Sequence, residues 1–374
     1  MAQVQEAGTN SAAVMNSVAS SGSATVQPRK TRYISWDVIR VVGILAVLTF
    51  HATLLAPLNL PGLDLPPEPL RMDFPFGASV LITVSGYFAA MTIGKHPSLR
   101  WWLRRLARLL PAFWVAVLMI FAATQLFAPE GLPRHTYRDL LGNLALVHLI
   151  VPDIAYIDLA HWTVPVQVAG FTVIALLAAT KSVRGRVATA VMWAVLLVPL
   201  AIRYVFMGPG DIVPTWLSVA MDGTGLNRAH LLIAGVAIYR WSKKRMSFTE
   251  LYLMLIVVLL AHHWHPPAND AVLAYAVALV LICVAAYEPA WNGKLFTRFE
   301  RQIRWLAGIS YGVYLMHYVM GTIVARHLAD LGVPWWGWVP AWFVAAIVLG
   351  WALTKFVERP AFNALDKLIT SRSR

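Results

Sequence analysis

The chain has 374 residues, 59% of them hydrophobic and 13% charged, with a mean hydropathy of +0.62. Soluble globular chains carry about 45–50% apolar and roughly 25% charged residues, so this composition excludes a soluble domain and reads as a polytopic membrane protein. The formal charge of +13 does not point to nucleic acid, because the basic residues sit in short connections between apolar segments, where topology and anionic headgroups place them. The one cysteine, Cys283, lies in an apolar run and excludes an internal disulfide and a cysteine metal cage.

Residues 1–32 are rich in Ser, Ala, Gly, Thr and Val and close on Arg29, Lys30 and Arg32. They read as a disordered cytoplasmic tail, since a basic cluster placed after a polar stretch is not the order of a cleaved leader. Ten apolar windows follow, at about 34–57, 74–95, 109–128, 162–180, 187–206, 226–241, 249–265, 270–288, 303–327 and 334–357. The reference length is ~20 apolar residues for a ~30 Å hydrocarbon core. The weakest window is 226–241, which is short and opens on "NRAH". The piece at 140–151 is too short to span and is expected in or on the outer leaflet.

The connections support this order. "KHPSLRWWLRRLAR", "KSVRGR", "RWSKKR" and "NGKLFTRFERQIR" are basic, whereas "LNLPGLDLPPEPLRMDFPF" and "MGPGDIVPTWLSVAMDGTG" carry acidic residues. Basic loops face the cytoplasm, so both termini are expected there. The predicted fold class is all-α, a polytopic membrane helical bundle of about ten transmembrane helices over 33–360. A basic cytoplasmic tail at 361–374 completes it.

An ionisable side chain inside a bilayer helix costs about 2.5–3.5 kcal/mol on insertion scales, so each one is a functional candidate. The first window holds three: Asp37, Arg40 and His51. Asp37 and Arg40, three apart, can pair on one face near the inner boundary. His51 stands eleven residues beyond Arg40, about 16 Å along the axis. In "SYGVYLMHY", Ser310, Tyr314 and His317 form one helical stripe. A helix entering at about 303 carries His317 about 21 Å inward, to the depth of His51. Either a hydrogen-bonded helix contact or a reactive site accounts for such a stripe.

Arg104, Arg105 and Arg108, with Lys95 and Arg100, make a basic patch before the third window. Arginine forks match phosphate oxygens, and the same residues also serve the positive-inside rule. "HHWH" at 262–265 reads as an interfacial polar cluster, and no metal site is expected. His135, His148 and His161 fall in the outer segment.

Several stretches taken together resemble acyltransferase family 3. "DVIRVVGILAVLTFH" is similar to its Arg-x10-His opening, and "FPFGASVLITVSGYFAAM" to its second helix, with Ser85-Gly86 at a Ser-Gly pair. "RRLARLLPAFW" resembles its arginine motif, "HWTVPVQVAGF" its Trp-Ser-Leu-x-x-Glu stretch, and "NRAHLLIAGVAIYR" an Arg and Gly segment. "LAGISYGVYLMHYVM" resembles its Ser-Tyr-x-x-Tyr-x-x-His helix and "FVERP" its closing Glu-Arg-Pro, so the likeness covers 33–360.

The resemblance implies transfer of an acyl group, usually acetyl from acetyl-CoA, to a hydroxyl of a carbohydrate or similar acceptor. His51 is then the candidate base, with His317 and Tyr314 beside it, while Arg40, Arg104, Arg105 and Arg108 are candidates for the donor. Asp37, Ser85, Trp162, Thr163, Gln167, Arg228 and Ser310 are supporting or acceptor candidates. Gln167 stands where relatives usually carry glutamate, and Thr163 where they carry serine; Asp158 is an alternative carboxylate. The expected partners are acyl-CoA, a carbohydrate or glycolipid acceptor and the lipid bilayer, without nucleic acid and without a permanently bound cofactor. The expected location is a cell membrane of the bacterial inner or plasma type. A macrolide-like acceptor, a transporter or flippase, and an inactive relative are the alternatives.

Overall fold

The computed structural model describes residues 33–180, 185–208, 212–264 and 271–371. The expected N-terminal tail lies outside them. Among the described residues the secondary structure is helical, with no strand.

The first half contributes α1 (Ile34–Asn59), α2 (Gly77–Lys95), α3 (Ser98–Phe127) and a short α4 (Tyr137–Leu144), then α5 (Leu159–Ala179) and α6 (Gly185–Phe206). The second half contributes α7 (Thr215–Gly223), α8 (Ala229–Ser242), α9 (Phe248–Trp264), α10 (Val272–Tyr287), α11 (Glu300–Met316), α12 (Tyr318–Asp330) and α13 (Trp335–Ser371). Six of these, α1, α2, α3, α5, α6 and α13, are long and apolar enough to cross a membrane, and α9 and α10 are shorter apolar helices.

Several boundaries differ from the sequence reading for identifiable reasons. The arginine-rich stretch before the third window belongs to α3, which starts at Ser98, because nothing in "SLRWWLRRLAR" breaks a helix. The window at 303–327 is two helices, α11 and α12, interrupted at His317. The expected tail from 361 continues α13 as helix to Ser371, where Asp366 accepts an ion pair from Arg104 of α3 at 2.8 Å.

Large apolar side chains stand exposed along the long helices, among them Leu118, Leu126, Leu176, Leu197 and Val280. Contiguous apolar surface on this scale is costly in water and is what lipid accommodates. Inside, two cores form. One joins the second half of α1 (Ile44, Leu48, Ala52) to Phe113 and Ile120 of α3, Val313 of α11 and Trp338 and Trp342 of α13. The other joins Trp36 and Ile39 to Ile82 of α2, Leu231 of α8, Met254 of α9 and Ile282 of α10.

Membrane helices pack through small residues, since lipid offers no hydrophobic drive between them. Gly235 of α8 sits against α2 so closely that a Cβ there would lie 2.5 Å from the Tyr87 amide nitrogen. At Gly312 of α11 a Cβ would lie 2.5 Å from Thr354 Oγ1 of α13. The Gly312 contact holds α11, and with it His317, against α13 in the first core.

Candidate active site

α1 is a regular α-helix to Phe50, turns π-helical over His51–Leu55 and resumes at Ala56–Asn59. A single π-helical turn inserts one residue into the helical register and is frequent at functional positions. His51 opens that turn, and His317 stands at the interruption between α11 and α12. The two side chains meet there: His51 Nδ1 lies 2.6 Å from His317 Nε2, with the rings stacked at 24° and their centroids 4.8 Å apart. His317 is fully buried and His51 half-buried. The common depth expected from the sequence is thus realised as direct contact.

The neighbours assign the protons. His317 Nδ1 lies 2.6 Å from the Tyr314 carbonyl oxygen. A carbonyl only accepts, so this nitrogen carries the hydrogen and His317 Nε2 is left with its lone pair. His51 must then donate from Nδ1, which leaves His51 Nε2 as a basic lone pair. An imidazole held through one nitrogen and basic at the other suits general-base chemistry.

Around the pair, the Tyr318 ring lies 5.0 Å from the His51 ring, and its hydroxyl accepts from Asn59 Nδ2 at 2.9 Å. Tyr318 and Asn59 also line a cavity of about 290 Å³, together with His135, Tyr156, Thr124 and Thr322. The remaining wall is apolar, including Leu60, Ile157 and Val319. No lining residue carries a formal charge when its histidine is neutral, and burial holds the His135 pKa below its ordinary value.

The segment from 136 to 162 fixes one side of this site. α4 starts with a capping box in which Thr136 Oγ1 accepts from the Asp139 amide and Asp139 Oδ2 accepts from the Thr136 amide. Asp139 Oδ1 then accepts from the Ala155 amide at 2.8 Å, and Asn143 bonds Ala155 and Ile157. Burial alone raises the pKa of Asp139, but the bonds from Thr136 and Ala155 outweigh it and hold the carboxyl below its ordinary value. The cross-links deliver Asp158 and His161, both buried, to the flank of α11 and α12.

The family described as an acyltransferase domain, acyltransferase family 3, matches residues 33–355, nearly the whole bundle. The chain belongs to this family. Among similar proteins is YrhL of Bacillus subtilis, named as a peptidoglycan O-acetyltransferase, which is 22% identical over 372 residues, covering 88% of this chain and 55% of YrhL. The peptidoglycan O-acetyltransferase OatA of Listeria monocytogenes is 21% identical over 347 residues, covering 79% of this chain and 51% of OatA. A Staphylococcus aureus protein named as an O-acetyltransferase is 20% identical over 376 residues, covering 89% of this chain and 58% of its own length. The chain spans a little over half the length of these relatives. No solved structure matches it.

The remaining candidate residues of this acyltransferase family member fall in three places. Tyr314 and Thr163 lie beside the histidines: the Tyr314 hydroxyl donates to the Ala160 carbonyl at 2.7 Å, with Thr163 in hydrogen-bonding reach. Trp162 forms a face for the Arg228 guanidinium, 4.6 Å from the ring centroid, and Arg228 also interacts electrostatically with Tyr314 and Tyr156. Ser85 Oγ donates to Gln167 Oε1 at 3.0 Å, so these two positions join α2 to α5. Ser310 bonds the Ala307 carbonyl of its own helix at 3.0 Å.

The basic candidates occupy the other end of the bundle and diverge from one another. Asp37 is fully buried between Arg40, at 4.0 Å, and Arg304, at 3.5 Å, and Arg304 is itself paired with Glu300 at 2.7 Å. Arg304 was not singled out by the sequence reading; its signal is the Glu300–Arg304 spacing of four on one helix face. Arg105 Nη2 donates to the Phe88 carbonyl and to Thr92 Oγ1, both at 2.7 Å, between the rings of Trp101 and Phe171. Arg104 turns to Asp366 and to His96, and Arg108 is exposed. His262 and His263 do not gather further ligands: among the described residues no three His, Cys, Asp or Glu side chains could hold a metal ion.

Proposed function

We propose that this chain is a membrane O-acyltransferase that moves an acyl group, acetyl in the first instance, from acyl-CoA to a hydroxyl of an envelope glycan. The observation that carries the reading is the His51–His317 pair, whose bonding leaves His51 Nε2 with its lone pair, while the neighbouring Tyr318 ring, 5.0 Å from that of His51, lines an uncharged cavity. Membership in the family and the names of its relatives support the same chemistry.

In this mechanism the acceptor hydroxyl gives its proton to His51 Nε2 as its oxygen attacks the thioester carbonyl. The tetrahedral intermediate collapses with loss of the carbon–sulfur bond, and the CoA thiolate takes the proton back from His51. Throughout, the Nδ1–H bond to His317 holds the ring and spreads the positive charge of the imidazolium. A pyranose suits the cavity: Tyr318 and Tyr156 offer ring faces, and Asn59, Thr322 and His135 offer polar edges. At about 290 Å³ it lies at the small end of ligand sites, which favours one sugar unit of a longer chain.

The donor enters at the opposite end, where exposed Arg108 and partly exposed Arg40 meet CoA phosphates from the cytoplasm. Arg105, held by Phe88 and Thr92, shapes that end rather than touching the donor. In this reading the protein is a multi-pass component of a bacterial plasma membrane, with the cavity facing outward. The test uses the purified full chain in nanodiscs with radiolabelled acetyl-CoA and N-acetylglucosamine oligosaccharides. Transfer by the wild type and its loss in His51→Ala is the expected result; equal transfer by both proteins overturns the reading.

A further inference from the structure

The interruption at His317 is repaired by two side chains from a distant segment. In an unbroken α-helix the Leu315 carbonyl accepts from the Val319 amide, and the Tyr314 carbonyl from the Tyr318 amide. Here the Leu315 carbonyl lies 3.0 Å from His161 Nε2. The Val319 amide donates to Asp158 Oδ2 at 3.2 Å. The Tyr314 carbonyl is taken by His317 Nδ1.

We propose that Asp158 and His161 form a splint that holds the α11–α12 helix open at His317, making both of them positioning residues for the His51–His317 pair. The inference rests on the reading of that pair as the reactive centre. The Leu315 acceptor and the Val319 donor, both released by the break, each find a partner of matching chemistry in a water-poor interior. The carboxylate is used on both sides, since Asp158 Oδ1 also accepts from the Ala160 amide at 2.8 Å. Between the two splint residues, the Ala160 carbonyl accepts from the Tyr314 hydroxyl, a third tie to the same turn. Asp158 and His161 are 1% and 0% exposed, so neither bond competes with bulk water.

Without the splint the cheapest way to satisfy Leu315 and Val319 is to bond them to each other. The helix then closes, the Tyr314 carbonyl returns to the Tyr318 amide, and His317 Nδ1 loses the acceptor that fixes its tautomer. His317 Nε2 would no longer be bound to offer a lone pair to His51. The splint therefore acts on the orientation and proton placement of the pair, and touches neither substrate.

The experiment compares His161→Gln, which keeps a side-chain N–H for the Leu315 carbonyl, with His161→Phe, which keeps bulk and lacks the donor. In the nanodisc assay His161→Phe is expected to lose kcat by about 10- to 100-fold with both KM values within about twofold, and His161→Gln to stay within about threefold of wild type. Asp158→Asn is expected to cost about tenfold, and the Asp158→Asn/His161→Phe double variant to cost no more than the worse single variant, because both act on one break. Full kcat in His161→Phe, or equal losses in the Phe and Gln variants, overturns the splint. If His51→Ala is inactive while His161→Phe is fully active, only the splint fails; if His51→Ala is fully active, the functional reading fails. A second measurement needs no turnover: NMR of 15N-labelled histidine is expected to show His317 protonated at Nδ1 in wild type and His161→Gln, and altered in His161→Phe. The same His317 tautomer in all three proteins overturns the proposal.

Discussion

His51 and His317 meet at 2.6 Å where one helix turns π-helical and another is broken, whereas His230 and His262 approach only to 3.4 Å from two uninterrupted helices, α8 and α9. Their bonding order is nevertheless alike. His230 Nδ1 faces the Asn227 carbonyl at 3.1 Å, as His317 Nδ1 faces that of Tyr314. In both pairs the outer histidine is therefore left with a lone pair on Nε2. What differs is where that lone pair ends. His262 is 1% exposed, its ring lies 4.4 Å from that of Tyr275, and its Nε2 has no hydrogen-bond partner among the described residues. His51 is half-buried, and the ring beside it, Tyr318, lines a cavity. Two buried imidazoles in contact are thus a packing motif by default, and it is the cavity on the far side of Tyr318 that sets the His51 pair apart and underlies the function proposed for it.

The largest effect that tests this contrast is His51→Ala, expected to lower kcat by roughly 10²- to 10⁴-fold, the usual range for a general base. His317→Ala should cost about 10²-fold, because it removes the acceptor that orients His51 and leaves the base itself in place. Steady-state acetyl transfer checks both, and a fully active His51→Ala protein would erase the distinction between the pairs. Next in size, Asn59→Ala and Tyr318→Phe should raise the KM for the oligosaccharide by about three- to tenfold at constant KM for acetyl-CoA, since each removes a neutral hydrogen-bonding group from the cavity wall. His262→Phe is expected to leave transfer within about threefold of wild type. A tenfold loss there would show that the second pair is not mere packing.

The smallest effect concerns Asp139, whose carboxylate ties α4 to the segment carrying Asp158 and His161. Its folded pKa is held below the ordinary 3.8. A group whose folded pKa is depressed contributes stability that is complete above its unfolded pKa and is lost as pH falls through the folded value. Hydrogen exchange of residues 137–158 should therefore stay slow down to about pH 4 and accelerate only below it. Asp139→Asn should exchange faster at neutral pH and lose most of that dependence.

Much of the bundle was legible because apolar windows and charged connections follow directly from the cost of putting charge in lipid. The meeting of His51 with His317 was legible as well, since 1.5 Å per residue places each at a depth once its helix entry is known. The basic patch was legible as a cluster and opaque as a site. Arg105 turns into the protein because Phe88, Thr92, Trp101 and Phe171 surround it, and three of these four come from other helices or turns. The pairing of Asp37 with Arg304 in addition to Arg40 was equally hidden, as the two lie 267 positions apart.

By itself the sequence determined that this is a helical membrane protein with two histidines at one depth and cations gathered toward one end. Composition and spacing are local properties, and the penalty for burying charge acts on each segment separately. Only the tertiary structure decided that α11 and α12 break apart at His317, because the groups that make the break affordable, Asp158 and His161, come from 154 or more positions earlier in the chain. It also decided which nitrogen of His51 is basic, for a tautomer is set by the partner on the other side of the ring.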